Sequence, residues 1–419
     1  MKIKTKDISY EKFLSLPFEK REKPLKPSII FRTLLKIVSG GELKAVHFKC
    51  NKIGMEKLGD KEPALFLMNH SAFIDLKIAS TILYPRPFNI VCTEDGFIGK
   101  KWLMRHLGCI PTKKFVTDFH LFNDMKYAIN KGSSILLYPE ASYSFDGTAT
   151  DIPNSLGKLL KLLDVPVVMI KTFGAFQRDP LYNNLQLRDV DVSCEMKYLL
   201  SRDDIIQMEI DELNNILKKE FTFDNFKWQI ENNIIVDEHF RADYLNRVLY
   251  KCPICKKEGF LRGKGIYLEC QSCSTKWELK ENGELHCLNH EETFTHIPTW
   301  YKWERDCVKE EIISDKYLLD IPVIIRAFKD SKCLYNIGEG RLVHNKNGFH
   351  LTGANGKLDV NVSSRAQYSL YSDYYWYELG DMIAVSDPKI TYYCFPKEEV
   401  DVAAKTRLAV EEISKLLKN

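Results

Sequence analysis

Four short apolar runs, at 64–68, 89–92, 134–138 and 166–171, alternate with four segments of helical period, at 74–83, 100–107, 118–129 and 155–163. Runs of four to six residues are strand length, and a helix between two such strands buries its apolar stripe only by packing back onto the sheet they form. The pattern confines this region to an α/β domain, a mixed sheet flanked by helices. With 419 residues, at roughly 100 to 200 per domain, the chain holds two to four domains.

The rest divides by texture. Pro27 opens a short helix carrying Ile30, Leu34 and Val38 on one face with Arg32 and Lys36 between them, and Gly40-Gly41 is expected to end it. Helices are expected to dominate from Asp203 to about Tyr250; Lys251 to Leu285 is rich in Cys, Lys and Gly. From His286 an aromatic patch (Trp300, Tyr301, Trp303) precedes β-rich segments at 321–327, 341–343, 358–362, 382–385 and 390–395, and an amphipathic helix at 398–417 closes the chain. The expected domains are a basic N-terminal segment with an amphipathic helix (1–44), the α/β domain (45–250), a small metal module (251–285) and a β-rich C-terminal domain closed by a helix (286–419). The last suggests a PH-like partial barrel.

Hydrophobic residues make up 45% and charged residues 28%, the balance of a chain held together by packing. The net charge of +3 gives no global pull toward nucleic acid, and no nucleic-acid partner is expected. Residues 1–40 are different, with ten Lys/Arg against four Asp/Glu. No apolar run approaches the roughly 18 residues of a membrane span, and MKIKTKDISYEKF lacks the apolar core of a secretory signal. The expectation is a cytoplasmic protein, peripheral on the cytosolic face of a membrane. In that reducing milieu paired cysteines point to metal before disulfides.

His70 and Asp75 stand in NHSAFID, at the turn from the first of these strands into the following helix. Reactive groups of α/β folds sit at such carboxyl ends of strands. Across that turn an aspartate can reach back to an imidazole, fix its tautomer and balance the charge it gains on taking a proton from a hydroxyl. LLYPEASYSFDG brings Glu140, Ser142, Tyr143 and Ser144 to the end of another strand, and GCIPTKK sets Lys113 and Lys114 after a short apolar run. A His/Asp base, a carboxylate able to bind hydroxyls and two cations suited to phosphate together make a site for a phosphorylated alcohol.

NHSAFID resembles the first motif of the glycerolipid acyltransferases, the family of 1-acylglycerol-3-phosphate acyltransferase. GCIPTKK is similar to the second motif, YPEASYS to the third and VPVVMIK to the fourth, in the same order and with matching gaps over roughly residues 40 to 220. The resemblance implies that His70 is the general base and Asp75 its partner, and that the acceptor hydroxyl attacks an acyl thioester directly. The donor would be acyl-CoA or acyl carrier protein, the acceptor a lysophospholipid. Glu140 and Ser142 would bind the acceptor, and Lys113 or Lys114 would stand where the family has a phosphate-binding Arg. Lysine there gives a point charge in place of a planar fork. Ala141, Ser142 and Tyr143 replace the usual Gly-Thr-Arg, so one phosphate contact of the family is missing.

CPIC (Cys252, Cys255) and CQSC (Cys270, Cys273) are separated by a glycine-containing hairpin around Gly263 and Gly265. Two such knuckles predict a four-cysteine zinc ribbon, with the metal structural because four thiolates close its shell. His286, Cys287, His290 and His296 fit no standard metal spacing. The rival to an enzyme is a non-catalytic lipid-binding adaptor whose ribbon and C-terminal domain bind a protein or nucleic acid; His70, Asp75 and Glu140, which an adaptor does not need, argue against it.

Overall fold

The structure, a computed structural model, describes residues 3–115, 118–291, 293–387, 389–398 and 401–418. Leu65–Met68 is buried at every position, with Phe66 and Met68 packed into one apolar cluster and Leu65 and Leu67 into another. Side chains alternating between two dry faces place this strand at the centre of a sheet covered on both sides.

Around it, in chain order, lie β1 (Thr5–Asp7), α1 (Tyr10–Ser15), α2 (Ile29–Ala45), β2 (Lys49–Ile53), β3 (Leu65–Met68), α3 (Asp75–Ile82), β4 (Phe88–Thr93), α4 (Lys101–His106) and β5 (Cys109–Thr112). There follow α5 (Phe119–Asn130), β6 (Ser134–Leu137), α6 (Leu156–Leu163), β7 (Val167–Phe173), α7 (Ala175–Arg178), β8 (Ser193–Leu200), α8 (Arg202–Gln207), α9 (Ile210–Phe221) and α10 (Asn225–Glu231). The sheet order is β2-β8-β7-β3-β6-β4-β5. All pairs are parallel except β7 with β8, so the sheet is mixed.

Three strands escape the apolar-run signal. β2 and β5 are the two edges: β2 (KCNKI) is almost wholly exposed, and β5 holds Pro111, which an edge tolerates because one side needs no donor. β8 buries only alternate residues, among them Cys194 and Met196. Gly40-Gly41 does not end α2, which runs on to Ala45. Two interior glycines cost about 1 kcal/mol each, and packing offsets them: Leu43 is buried and Ser39 Oγ lies 3.0 Å from Ser80 Oγ of α3. Helices dominate only to Glu231; residues 232–250 are turns and irregular chain with one 3-10 turn.

The cysteine-rich region is an antiparallel meander of β9 (Leu261–Lys264), β10 (Tyr267–Cys270), β11 (Lys276–Leu279) and β12 (Leu285–Cys287). Gly263 is required there, since a Cβ would come within 2.3 Å of the Ala242 carbonyl oxygen. The aromatic patch is helical, in α11 (Ile297–Ile313), which buries Ile297, Trp300, Tyr301, Glu304, Val308 and Ile312 along one side.

The C-terminal strands are β13 (Leu319–Ala327), β14 (Leu334–Asn345), β15 (Gly348–Gly353), β16 (Leu358–Ser363), β17 (Ser372–Asp373), β18 (Met382–Ser386) and β19 (Thr391–Pro396), closed by α12 (Ala403–Leu416). Of the helix expected at 398–417, Glu399 and Val400 lie outside the described residues. The order β16-β15-β14-β13-β19-β18-β17 is a four-strand meander joined to a three-strand one through its first and last strands. β1 adds to β14 in parallel, so the start of the N-terminal segment belongs to this sheet, while α2 packs on α3. One face of the sheet packs around Val323, Leu342, Leu351 and Ile383. The other meets the α/β domain, with Leu334, Trp376 and Tyr393 in one cluster with Ile98 and Phe115.

Candidate active site

β3 and β6 are parallel neighbours, so the loops after their carboxyl ends lie side by side. The first carries His70 to Asp75 and the second Tyr138 to Ser144. Asp75, in the first turn of α3, turns Oδ2 back to accept from the backbone N–H of Ser71 (2.9 Å) and Ala72 (3.2 Å) and stands 3.2 Å from His70 Nδ1. A carboxylate at a helix N-terminus is favoured by the exposed N–H groups. Asn69, to which the sequence assigned no role, ties the loop to β7: Oδ1 accepts from Thr172 N (2.8 Å) and Oγ1 (3.1 Å), and Nδ2 donates to Ser71 Oγ (2.9 Å).

Glu140 also works from within. Oε2 accepts from His70 N at 2.8 Å, and Oε1 accepts from Thr150 N at 2.8 Å and Thr150 Oγ1 at 3.2 Å. Both oxygens are therefore committed to the protein. Neither Glu140 nor the buried Ser142 lines the cavity described below. Ala141 adopts φ +55°, a left-handed conformation at the position where the family motif has glycine.

The His70 ring lies between Tyr138 (centroids 4.3 Å apart, planes 28° apart) and Tyr143 (3.9 Å, 31°). Tyr138 is the one member of this group with no sequence signal beyond its place in the motif. Burial, with the charge of Lys114, holds the imidazole well below its usual pKa, so it is neutral and able to accept a proton. Burial pushes Asp75 up to about 8 against the pull of the Ala72 and Ser71 N–H groups, and Glu140 up to about 7 against those of His70 and Thr150.

The His70–Asp75 pair and the two tyrosines form part of the wall of a cavity of about 1230 Å³. His70, Asp75, Tyr138 and Tyr143 contribute one portion, Lys113 and Lys114 another, and Phe122, Met125, Leu159 and Leu162 an apolar stretch. The two lysines meet the C-terminal region: Lys113 Nζ donates to Lys389 O at 2.8 Å, and Lys114 Nζ lies 4.2 Å over the Tyr371 ring. Tyr371, Asp373, Tyr374, Trp376 and Tyr377 line the same cavity, a contribution from some 300 residues downstream of His70 that no local signal foretells.

The four sulfurs of Cys252, Cys255, Cys270 and Cys273 lie within 4.8 Å of one another, with Cys252–Cys273 and Cys255–Cys270 each 3.7 Å apart. Zinc–sulfur bonds of about 2.3 Å at tetrahedral angles give an edge of about 3.8 Å, so the cluster fits zinc. Among the described residues His286, Cys287, His290 and His296 form no comparable set, and His296 Nε2 instead faces Asp224 at 3.2 Å.

Residues 49–171 match the model of the acyltransferase family, a span that holds His70, Asp75, Lys113, Lys114 and Glu140. The chain carries an acyltransferase-family domain. At the level of the family its chemistry is acyl transfer. Among solved structures the chain is similar to the crystal structure of the 1-acyl-sn-glycerophosphate (LPA) acyltransferase PlsC from Thermotoga maritima, with 13% identity, 45% of this chain and 76% of that chain covered, and a TM-score of 0.38. No curated protein sequence matches it. Among the described residues no helix is long and apolar enough to cross a membrane. Helix α2 does present an apolar face, where Ile30 is 74%, Ile37 69% and Val38 66% exposed, while Phe31 packs against Trp102 and His106.

Proposed function

We propose that the protein transfers a fatty acyl group from the thioester of coenzyme A or an acyl carrier protein to a hydroxyl of a lysophospholipid-like acceptor. The observation that carries this reading is the His70–Asp75 pair, 3.2 Å apart, set in the wall of a cavity that also holds Lys113, Lys114 and an apolar stretch. Asp75 holds Nδ1, which leaves Nε2 to take the acceptor's proton. The alkoxide oxygen forms a bond to the thioester carbonyl carbon; collapse of the tetrahedral species breaks the carbon–sulfur bond, and the imidazolium returns its proton to the departing thiolate. Asp75 balances the imidazolium while it exists. Glu140 acts through the backbone of His70 as a positioning residue, and Lys114, with Lys113 beside it, receives the acceptor phosphate.

The four cysteines would hold a structural zinc that pins the β9–β12 meander, with no position open for substrate. The 4-3-2-1-7-6-5 strand order with a closing helix supports a PH-like reading of residues 286–419, after an N-terminal segment (1–44), the acyltransferase domain (45–250) and the ribbon (251–285). The exposed apolar face of α2, with Arg32 and Lys36 beside it, supports peripheral attachment to an anionic membrane surface.

Release of free thiol from acyl-CoA, measured against a panel of lysolipids, tests the reading. His70→Ala should lower the rate by about 10² to 10⁴, and Asp75→Asn by less, since Asn still holds the ring but cannot balance its charge. A folded His70→Ala protein with the wild-type rate would remove the mechanism.

A further inference from the structure

The segment Tyr371 to Tyr377, YSDYYWY, enters the cavity from the C-terminal region. Its polar ring atoms are largely spent within the protein. The Tyr371 and Tyr377 hydroxyls donate to the Asp95 carboxylate (3.4 and 3.0 Å), Trp376 Nε1 donates to Tyr371 Oη (3.0 Å), and the Tyr374 hydroxyl donates to Arg247 O (2.7 Å). Some ring faces are spent too: Trp376 stacks on Tyr393 (centroids 4.6 Å apart, planes 19° apart) and Tyr374 packs on Phe145 (4.5 Å, 32°), so these rings give the cavity only the ring surface left over. One face is already used on a cation, since Lys114 Nζ sits 4.2 Å over Tyr371. Asp373 stands among them, half-buried; Oδ1 accepts the Tyr374 N–H at 2.9 Å, which leaves Oδ2 for the cavity. Nearby, Arg407 is paired with Glu411 at 3.1 Å, and Lys113 donates to the Lys389 carbonyl and keeps its charge beside Lys114.

This wall therefore offers the ammonium of Lys114 with that of Lys113 beside it, the carboxylates of Asp373 and Asp95, and aromatic ring surface. Aromatic faces and a carboxylate attract cations, and quaternary ammonium groups most selectively. They offer little to a polyol, which needs free donors and acceptors, and the carboxylates of Asp373 and Asp95 repel a second negative charge on phosphate. We propose that residues 371–377 read the head group of the acyl acceptor, Lys114 taking its phosphodiester and Asp373 with the adjoining ring faces taking an ammonium, so that the preferred acceptor is a zwitterionic lysophospholipid. This rests on the acyl-transfer reading and deepens it. Burial pushes Asp373 up to about 7 while Lys114 pulls it down; a bound ammonium would favour its ionised form in the same way.

The test is equilibrium binding of lysophosphatidylcholine, lysophosphatidylglycerol and lysophosphatidic acid of one short chain length, below their micellar concentrations, to the full chain in wild-type, Asp373→Asn and His70→Ala forms. Wild type should bind the choline lipid about fivefold tighter than either anionic lipid, equivalent to about 1 kcal/mol. Asp373→Asn should erase that ratio, weakening choline-lipid binding and relieving the repulsion of lysophosphatidic acid, and His70→Ala should preserve it. Equal wild-type affinities for the three lipids overturn the proposal whatever the variant does, as does an unchanged ratio in Asp373→Asn. Head-group preference without turnover would sink acyl transfer and leave this inference standing; turnover without preference would do the reverse.

Discussion

Glu140→Gln separates two roles that the motif alone leaves mixed. In the structure the carboxylate meets three donors: His70 N at 2.8 Å on Oε2, and Thr150 N at 2.8 Å with Thr150 Oγ1 at 3.2 Å on Oε1. A glutamine of the same shape has one oxygen. Whichever way it turns, its NH₂ faces a backbone N–H, and a buried donor loses its partner at a cost of about 1–3 kcal/mol. That cost falls on the loop carrying the base, where a shift of about 1 Å lowers a rate about 10²-fold. Unfolding by urea should show the stability loss. Steady-state thiol release should show kcat lower by about 10 to 10² with the acceptor KM within about twofold. A raised acceptor KM with kcat intact would mean that Glu140 touches the acceptor, and the positioning argument would fail.

Cys252→Ser or Cys270→Ser should abolish binding of one zinc equivalent and speed hydrogen exchange through β9–β12, because so small a segment has little core of its own; four freely titrating thiols and no zinc in the wild type would contradict this. Ala141→Gly should raise the unfolding free energy by about 0.5–1 kcal/mol, since the native φ of +55° suits glycine; destabilisation in a urea titration would show that the Ala141 methyl matters more than the backbone. Replacing Ile30, Ile37 and Val38 of α2 with Glu should weaken sedimentation with anionic vesicles by at least about tenfold, each exposed apolar side chain contributing about 1–2 kcal/mol on burial. Unchanged binding would place the membrane contact elsewhere.

Local periodicity and local spacing made part of this protein legible without coordinates. β3, β4, β6 and β7 are continuous apolar runs because both faces of the central sheet are dry, and α3, α5 and α6 repeat at helical period because one face is. His70 and Asp75 are five residues apart across a single turn, and each cysteine pair is a tight knuckle, so chain connectivity alone brings those partners close. β2 was hidden because an edge strand buries little, β5 because Pro111 cuts its apolar run short, and α2 ran through Gly40-Gly41 because its contact with α3 outweighs propensity.

The identity of what surrounds His70 was decided by tertiary structure. That Tyr138 and Tyr143 enclose its ring, that Glu140 Oε2 is turned inward onto the His70 N–H, and that Tyr371 to Tyr377 complete the cavity are consequences of packing between segments about 70 to 300 residues apart. Such contacts leave no period and no spacing in the chain. They arise from many weak contacts summed over a closed interface, and that sum is defined only once the sheet, the ribbon and the C-terminal strands occupy their places.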